Sequence, residues 1–321
     1  MTVNTFFIKL FSEGILPGVA GVLSFIPPIA AATFFISLLK NSGIVKNTAA
    51  HFVLGFSCSV PAIMTCKSIG NKKQRILTMF LIPYMSCSAK LPIYVMLTSM
   101  FFPAYPYAVI GSLYTFGIIL VLLGVFTAKR TGLWQDSSAD KKGIQFNIPS
   151  LKIMVKEVSE CCIGFIKKAF TVILISSAVI WLLQNLDMDF HFSSSIESSI
   201  LARTGKLLAP FFAPLGFGDW RAVSALITGL TAKEAIVSSF AVIAGAAEGP
   251  ALCIMLEDIF DPVSAFCFMI FCLLYTPCIA SLAAIKSITG RLSASIAVMA
   301  VQTFLAWLVT FLIFQSVKVI I

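Results

Sequence analysis

The sequence predicts an all-α polytopic membrane protein arranged as an inverted repeat of two halves, with about six spanning helices and two re-entrant broken hairpins. Three observations carry this. Of 321 residues, 59% are hydrophobic and only 12% charged, about half the roughly 25% charged share of a soluble domain. The mean hydropathy is +0.98, and a soluble fold has too little polar surface to cover so many apolar groups. The apolar residues fall in long runs, and the basic residues fall in a few loops between them. These features exclude a soluble enzyme, a disordered chain, a disulfide scaffold and an outer-membrane barrel, whose strands read as short alternating segments.

Taken in order, the long apolar segments are 15–40, 75–102, 104–127, 166–187, 262–286 and 293–316. Two more, 47–66 and 221–247, are interrupted. The first holds Gly55, Ser57, Ser59 and Pro61; the second holds Gly229, Lys233 and Glu234. Each reads as a broken hairpin that enters and leaves on one side, an arrangement tolerated only where it lines a cavity within the protein.

Loop charge gives the orientation. Lys67, Lys72, Lys73 and Arg75 make one basic loop, and Lys286 with Arg291 makes another. Residues 128–168 hold eight basic groups against four acids, whereas 187–200 and 248–261 hold acids and no base. The basic loops are expected inside and the acidic ones outside, so the net charge of +9 marks the positive-inside rule and not a nucleic-acid partner. The N-terminus is then expected outside. The halves have the same order of elements in opposite orientation, as in many secondary transporters. The expected organisation is a first repeat over 1–127, a cytoplasmic linker with an interfacial helix over 128–165, and a second repeat over 166–321.

A sequence echo supports the repeat. Phe80, Tyr84, Cys87, Ala89 and Leu91 recur at one offset as Phe271, Tyr275, Cys278, Ala280 and Leu282, each set beside a proline, Pro83 and Pro277. Residues 150–168 place Leu151, Met154, Val155, Val158 and Cys162 opposite Lys152, Lys156 and Glu160, the pattern of an interfacial helix. Residues 200–217 read as a second such helix, shortened by Pro210 and Pro214.

The chemistry concentrates at four breaks: Gly55–Met64, Pro83–Pro92, Thr228–Ala235 and Tyr275–Ser281. Each sets a cysteine, hydroxyl or carboxylate beside a proline or glycine. A broken helix frees backbone carbonyls and exposes half-helix ends, which coordinate ions near the midplane. Thiols favour soft and borderline transition metals, whereas Ca²⁺ and Mg²⁺ want rings of oxygens. Cys58, Cys87 and Cys278 are therefore the candidate metal ligands, with Ser86, Ser88, Glu234 and Met64 as auxiliaries. Cys66, Cys161, Cys162, Cys253, Cys267 and Cys272 read as small hydrophobes. Lys90 reads as a side chain snorkelling to an interface, and His51 and His191 read as interfacial. Lys233 and Glu234 either neutralise each other or leave Glu234 to meet a cation. The sequence contains no phosphate-cradling Gly-x-x-x-x-Gly-Lys-Ser/Thr motif, no zinc-type cysteine pair and no set of groups suited to hydrolysis.

The stretches Gly55–Leu97, Leu208–Ser239 and Tyr275-Thr-Pro-Cys278, with Leu305-Ala-Trp-Leu-Val309, resemble the membrane core of the bacterial ferrous iron transport protein B family. The likeness runs from about residue 14 onward. It implies two gate-type repeats, Fe²⁺ as the transported substrate, and a cysteine pathway matching Cys58, Cys87 and Cys278. Family members usually begin with a GTP-binding domain, a spacer and a first membrane helix, which this sequence does not show. Where the family tends to have Leu-Glu-x-x-Gly-Tyr, this chain has Leu39-Lys40-Asn41-Ser42-Gly43-Ile44, so Lys40 replaces a carboxylate. The expected function is Fe²⁺ transport across the inner membrane, with the bilayer, a separate GTP-binding protein and a second copy of the chain as expected partners. The alternatives are a carrier of another divalent metal or a nucleoside on the same scaffold, and a non-transporting membrane partner of a separate GTPase.

Overall fold

The computed structural model describes residues 47–134, 151–188, 191, 196–246 and 249–320, together with 10–16 and scattered positions between 19 and 34. Most of the expected span 15–40, and residues 135–150 of the expected linker 128–165, thus lie outside the described residues. Among the described residues there are helices and no strand.

The first half runs α1 (Asn47–Ser57), α2 (Ser59–Thr65), α3 (Lys72–Leu81), α4 (Leu91–Phe101) and α5 (Pro106–Arg130). Then follow α6 (Leu151–Asn185) and α7 (Ile200–Phe212). The second half continues with α8 (Trp220–Thr228), α9 (Ala235–Ala244), α10 (Pro250–Ile259), α11 (Pro262–Leu274), α12 (Ile279–Thr289) and α13 (Leu292–Ile320). A hairpin, a broken helix and a long unbroken helix thus occur in the same order twice, with α10 added in the second half. The protein is an all-α polytopic membrane protein. Among the described residues, four stretches are long and apolar enough to cross a bilayer: α3–α4, α5, α11–α12 and α13.

The broken helix α11–α12 is the centre of the molecule. Its apolar window is 78% buried, against 17% for α5 and for α13. Every residue of α11 from Cys267 to Leu274 is buried, among edge-to-face rings such as Phe217 on Phe268 and Phe212 on Phe271. Such a helix, apolar on all sides, belongs inside a bundle. The long helices α5 and α13 instead leave side chains such as Leu122, Leu123, Phe304 and Leu312 exposed, as a lipid-facing rim does.

The prolines explain the breaks. Pro277 has no N–H to give to Leu273 O, so α11 stops at Leu274 and α12 restarts after Cys278. Pro83 acts alike: α3 tightens into a short turn over Ile82–Tyr84, and the chain is extended at Met85. Gly117 of α5 admits the first break, since a Cβ there would stand 2.5 Å from Tyr84 O. Gly216 joins α7 to α8 with φ +92° against the Phe314 ring, a conformation and a closeness that a side chain would not allow.

Two sequence expectations change. Residues 151–185 form one continuous 35-residue helix, so the expected interfacial helix and the span beginning at 166 are a single element. No helix breaker separates them, and Lys152, Lys156 and Glu160 are exposed on its first turns. In α7 the helix passes through Pro210 and ends at Phe212, with Pro214 in the following turn.

Candidate functional site

The four breaks meet through backbone carbonyls. In the first hairpin, α1 ends at Ser57 and α2 starts after Cys58, whose backbone is extended (φ −154°, ψ 133°). Ser88 Oγ donates to Ser57 O at 2.9 Å, which ties this hairpin to the broken helix of its own half. In the second half, Ile279 N donates to Leu230 O at 2.7 Å. Ser88 and Ile279 stand at the same offset of 191 as Cys87 and Cys278, so each hairpin touches the same place in its broken helix. The hairpin glycines sit alike: a Cβ on Gly55 would meet Met85, and one on Gly229 would meet the Tyr275 hydroxyl.

Cys87 and Cys278 each occupy the position just before the helix resumes, with φ/ψ of −74°/161° and −59°/154°. They lie within electrostatic reach of one another. Ser281 Oγ lies 3.3 Å from Cys278 Sγ, a contact in which either atom can donate. Cys58 and Cys278 both pack against the cluster containing Ile63, Ile82, Ala280 and Ala284. The auxiliaries divide. Ser88 is spent on Ser57 O. Ser86 is 1% exposed and its hydroxyl has no well-formed hydrogen bond, although Tyr94 lies beside it. Met64 packs on α6, its Cε 3.0 Å from where a Cβ on Gly164 would stand.

Glu234 is half-buried at the start of α9, with no capping bond from its side chain. Lys233 does not neutralise it. That ammonium turns the other way, donating to Thr276 O at 2.9 Å and lying 3.0 Å from the centre of the Tyr275 ring. Glu234 thus stands at a helix start with neither a capping bond nor an ion pair among the described residues.

Lys90 corrects the snorkelling expectation. It is 3% exposed, and its Nζ donates to Pro83 O, Met85 O and Leu273 O at 3.0, 3.3 and 2.9 Å. The carbonyls freed by the break hold it in the interior. His51 is likewise buried, with Nδ1 2.8 Å from Thr65 Oγ1; His191 is exposed. Cys272 is fully buried, as a small hydrophobe would be, yet it lies in electrostatic reach of Lys90 and Lys233. The signal that would have found it is spacing, one turn ahead of Thr276. Cys253 is exposed. Among the described residues no three His, Cys, Asp or Glu side chains converge into a cage for a metal ion.

Residues 166–292 match the family model "Gate: Nucleoside recognition". Among known proteins, the chain is 36% identical over 324 residues to the Fe(2+) transporter FeoB of Staphylococcus aureus, covering 95% of this chain and 48% of that protein. The corresponding transporter of Methanocaldococcus jannaschii is 36% identical, covering 89% of this chain and 46% of its own length. An Fe(2+) transport protein A/Fe(2+) transporter FeoB fusion protein of Porphyromonas gingivalis is 30% identical, covering 98% and 45%. The chain spans about half the length of the curated relatives it matches. No solved structure matches it.

Proposed function

We infer that this chain, a relative of the Fe(2+) transporter FeoB along nearly its whole length and similar to the membrane part of that protein, carries Fe²⁺ across the cytoplasmic membrane. The observation that carries the reading furthest is the equivalence of Cys87 and Cys278. Two thiols stand at matched positions in two helix breaks, within electrostatic reach, at the buried centre of the molecule. Thiolates suit a borderline metal such as Fe²⁺ better than an alkaline-earth ion.

The pathway passes the breaks in sequence. Glu234, with no capping partner at the start of α9, meets the hydrated cation. Cys278 and Cys87 replace part of its water shell, and Cys58, at the break of the first hairpin, takes it onward. Ser86 supplies an oxygen ligand, and Ser88 and Met64 shape the wall. The ligands are few at each step, which suits passage better than storage, since a tight cage would not release its ion.

The two repeats, 1–127 and 166–321, work in opposite orientation. Helix α6 supports this. Gly164 rests on Met64 of the first hairpin, while Trp181, Gln184 and Asn185 line one cavity with Trp220 and Val242 of the second. Twenty residues of helix separate Gly164 from Gln184, about 30 Å, the thickness of a hydrocarbon core. This separation fits hairpins that enter from opposite faces. Loop charge puts the first on the cytoplasmic side and the N-terminus outside. The nucleotide-driven step comes from a GTP-binding domain, in the remainder of a longer protein or in a separate chain.

The test is anaerobic Fe²⁺ influx into proteoliposomes holding the full chain, beside a Cys87→Ser/Cys278→Ser variant. Influx in the wild type that the variant loses supports the reading. Because the matched family model is described by nucleoside recognition, Zn²⁺, Mn²⁺ and nucleosides are added as competitors. Nucleoside uptake without Fe²⁺ influx would overturn the iron assignment.

A further inference from the structure

Both helix breaks carry an ammonium on the same carbonyl. Met85 and Thr276 are the offset pair that follow Tyr84 and Tyr275. Lys90 Nζ donates to Met85 O, and Lys233 Nζ donates to Thr276 O. The two lysines come from different places: Lys90 belongs to the broken helix itself, whereas Lys233 reaches over from the second hairpin. The position offset from Lys90 is Ser281, which serves Cys278 instead.

Lys90 also spans the halves. Its other acceptors are Pro83 O and Leu273 O, the latter being the carbonyl that Pro277 leaves without a helical donor. An ammonium has three N–H groups, and all three of Lys90's are used. Lys233 also lies over the face of Tyr275. Around them, Thr276 Oγ1 and Ser86 Oγ are 2% and 1% exposed without well-formed hydrogen bonds. Carbonyls at unwound helices are the places where secondary transporters coordinate alkali cations. Here these places already hold a positive charge attached to the chain.

We propose that Lys90 and Lys233 are specificity-determining residues, whose tethered ammonium groups occupy the carbonyl sites of both breaks, deny them to Na⁺ and K⁺, and leave the thiols of Cys87 and Cys278 as the open ligands. Only the last clause rests on the Fe²⁺ reading. An alkali ion finds neither a free oxygen ring nor a favourable charge there, and a thiophilic dication gains from sulfur what it loses to the lysines.

The experiment uses Lys90→Ala and Lys233→Ala variants of the full chain in lipid nanodiscs, melted in choline, Na⁺, K⁺ or n-propylammonium chloride at equal ionic strength. Propylammonium replaces the atoms that alanine lacks, and choline is too large to enter. The expected result is a Tm higher in propylammonium or K⁺ than in choline by roughly 2–4 °C in each variant at cation well above its Kd, with no such difference in the wild type. A variant that folds only with propylammonium present supports the proposal equally. Equal behaviour in all four salts, folded or not, overturns it. Wild-type Fe²⁺ influx is read in parallel: absent influx with the cation response intact removes the iron reading and leaves the lysine assignment standing.

Discussion

Cys87 and Cys278 are one residue used twice. They stand 191 positions apart, each immediately before a helix restart, with backbone angles within about 15° of one another. The prolines that create the two sites are not equivalent: Pro83 precedes Cys87 by four residues, whereas Pro277 immediately precedes Cys278. The geometry is common to both halves, and the means of reaching it differ.

Each thiol should matter separately. Cys87→Ser and Cys278→Ser are each expected to cut Fe²⁺ affinity by at least the roughly 10–100-fold that loss of a supporting partner costs at a metal site. Competition of unlabelled against labelled Fe²⁺ for uptake measures this. Uptake of unchanged affinity in either variant would remove that cysteine from the pathway.

Ser281 should matter through Cys278. Its hydroxyl lies 3.3 Å from that sulfur. Ser281→Ala is expected to weaken metal binding by about tenfold while maximal flux changes less. A fall confined to maximal flux would assign Ser281 to packing alone.

Gly117 and Gly111 lie on the same helix and should respond oppositely to one methyl group. A Cβ on Gly117 meets Tyr84 O at 2.5 Å, whereas one on Gly111 meets nothing within 4 Å. Gly117→Ala is expected to lose about 1–3 kcal/mol by overpacking the first break. Gly111→Ala is expected to be neutral or to gain up to about 1 kcal/mol from helix propensity. Thermal unfolding of both variants in one detergent makes the comparison.

Glu197 gives a pH dependence outside the spanning region. Lys206 Nζ lies 2.8 Å from its carboxylate and holds that carboxyl below its usual range by hydrogen bond and charge. A depressed carboxyl contributes stability above its unfolded pKa and loses it as pH falls through the folded value. The Tm difference between wild type and Glu197→Gln should therefore be present at neutral pH and vanish in the acid range. Because the pair is exposed, the difference should also shrink in high salt.

The breaks were legible because their causes are local. A proline removes one hydrogen bond at a known distance, and the cysteine beside it inherits the extended backbone. The doubling of Phe80, Tyr84 and Cys87 in Phe271, Tyr275 and Cys278 was legible for the same reason. The partner of a freed carbonyl was not. Lys90 and Leu273 are 183 residues apart, and nothing near Lys90 distinguishes a lysine that reaches inward from one that snorkels. Lys233 and Glu234 are neighbours in sequence, yet one faces Tyr275 and the other does not pair with it, because side chains at adjacent positions of a turn point apart. The union of 151–168 with 166–185 was hidden by a change from charged to apolar character along one helix, which looks like a boundary when only composition is read.

That union has a mechanical meaning. Helix α6 is a strut of about 53 Å, from its 35 residues at 1.5 Å each. It bears on the first hairpin at Gly164 and borders the second near Gln184. A rod seated at two points cannot tilt at one without moving the other. Force applied where α6 begins, beside the basic linker, would reach both hairpins in a single stroke.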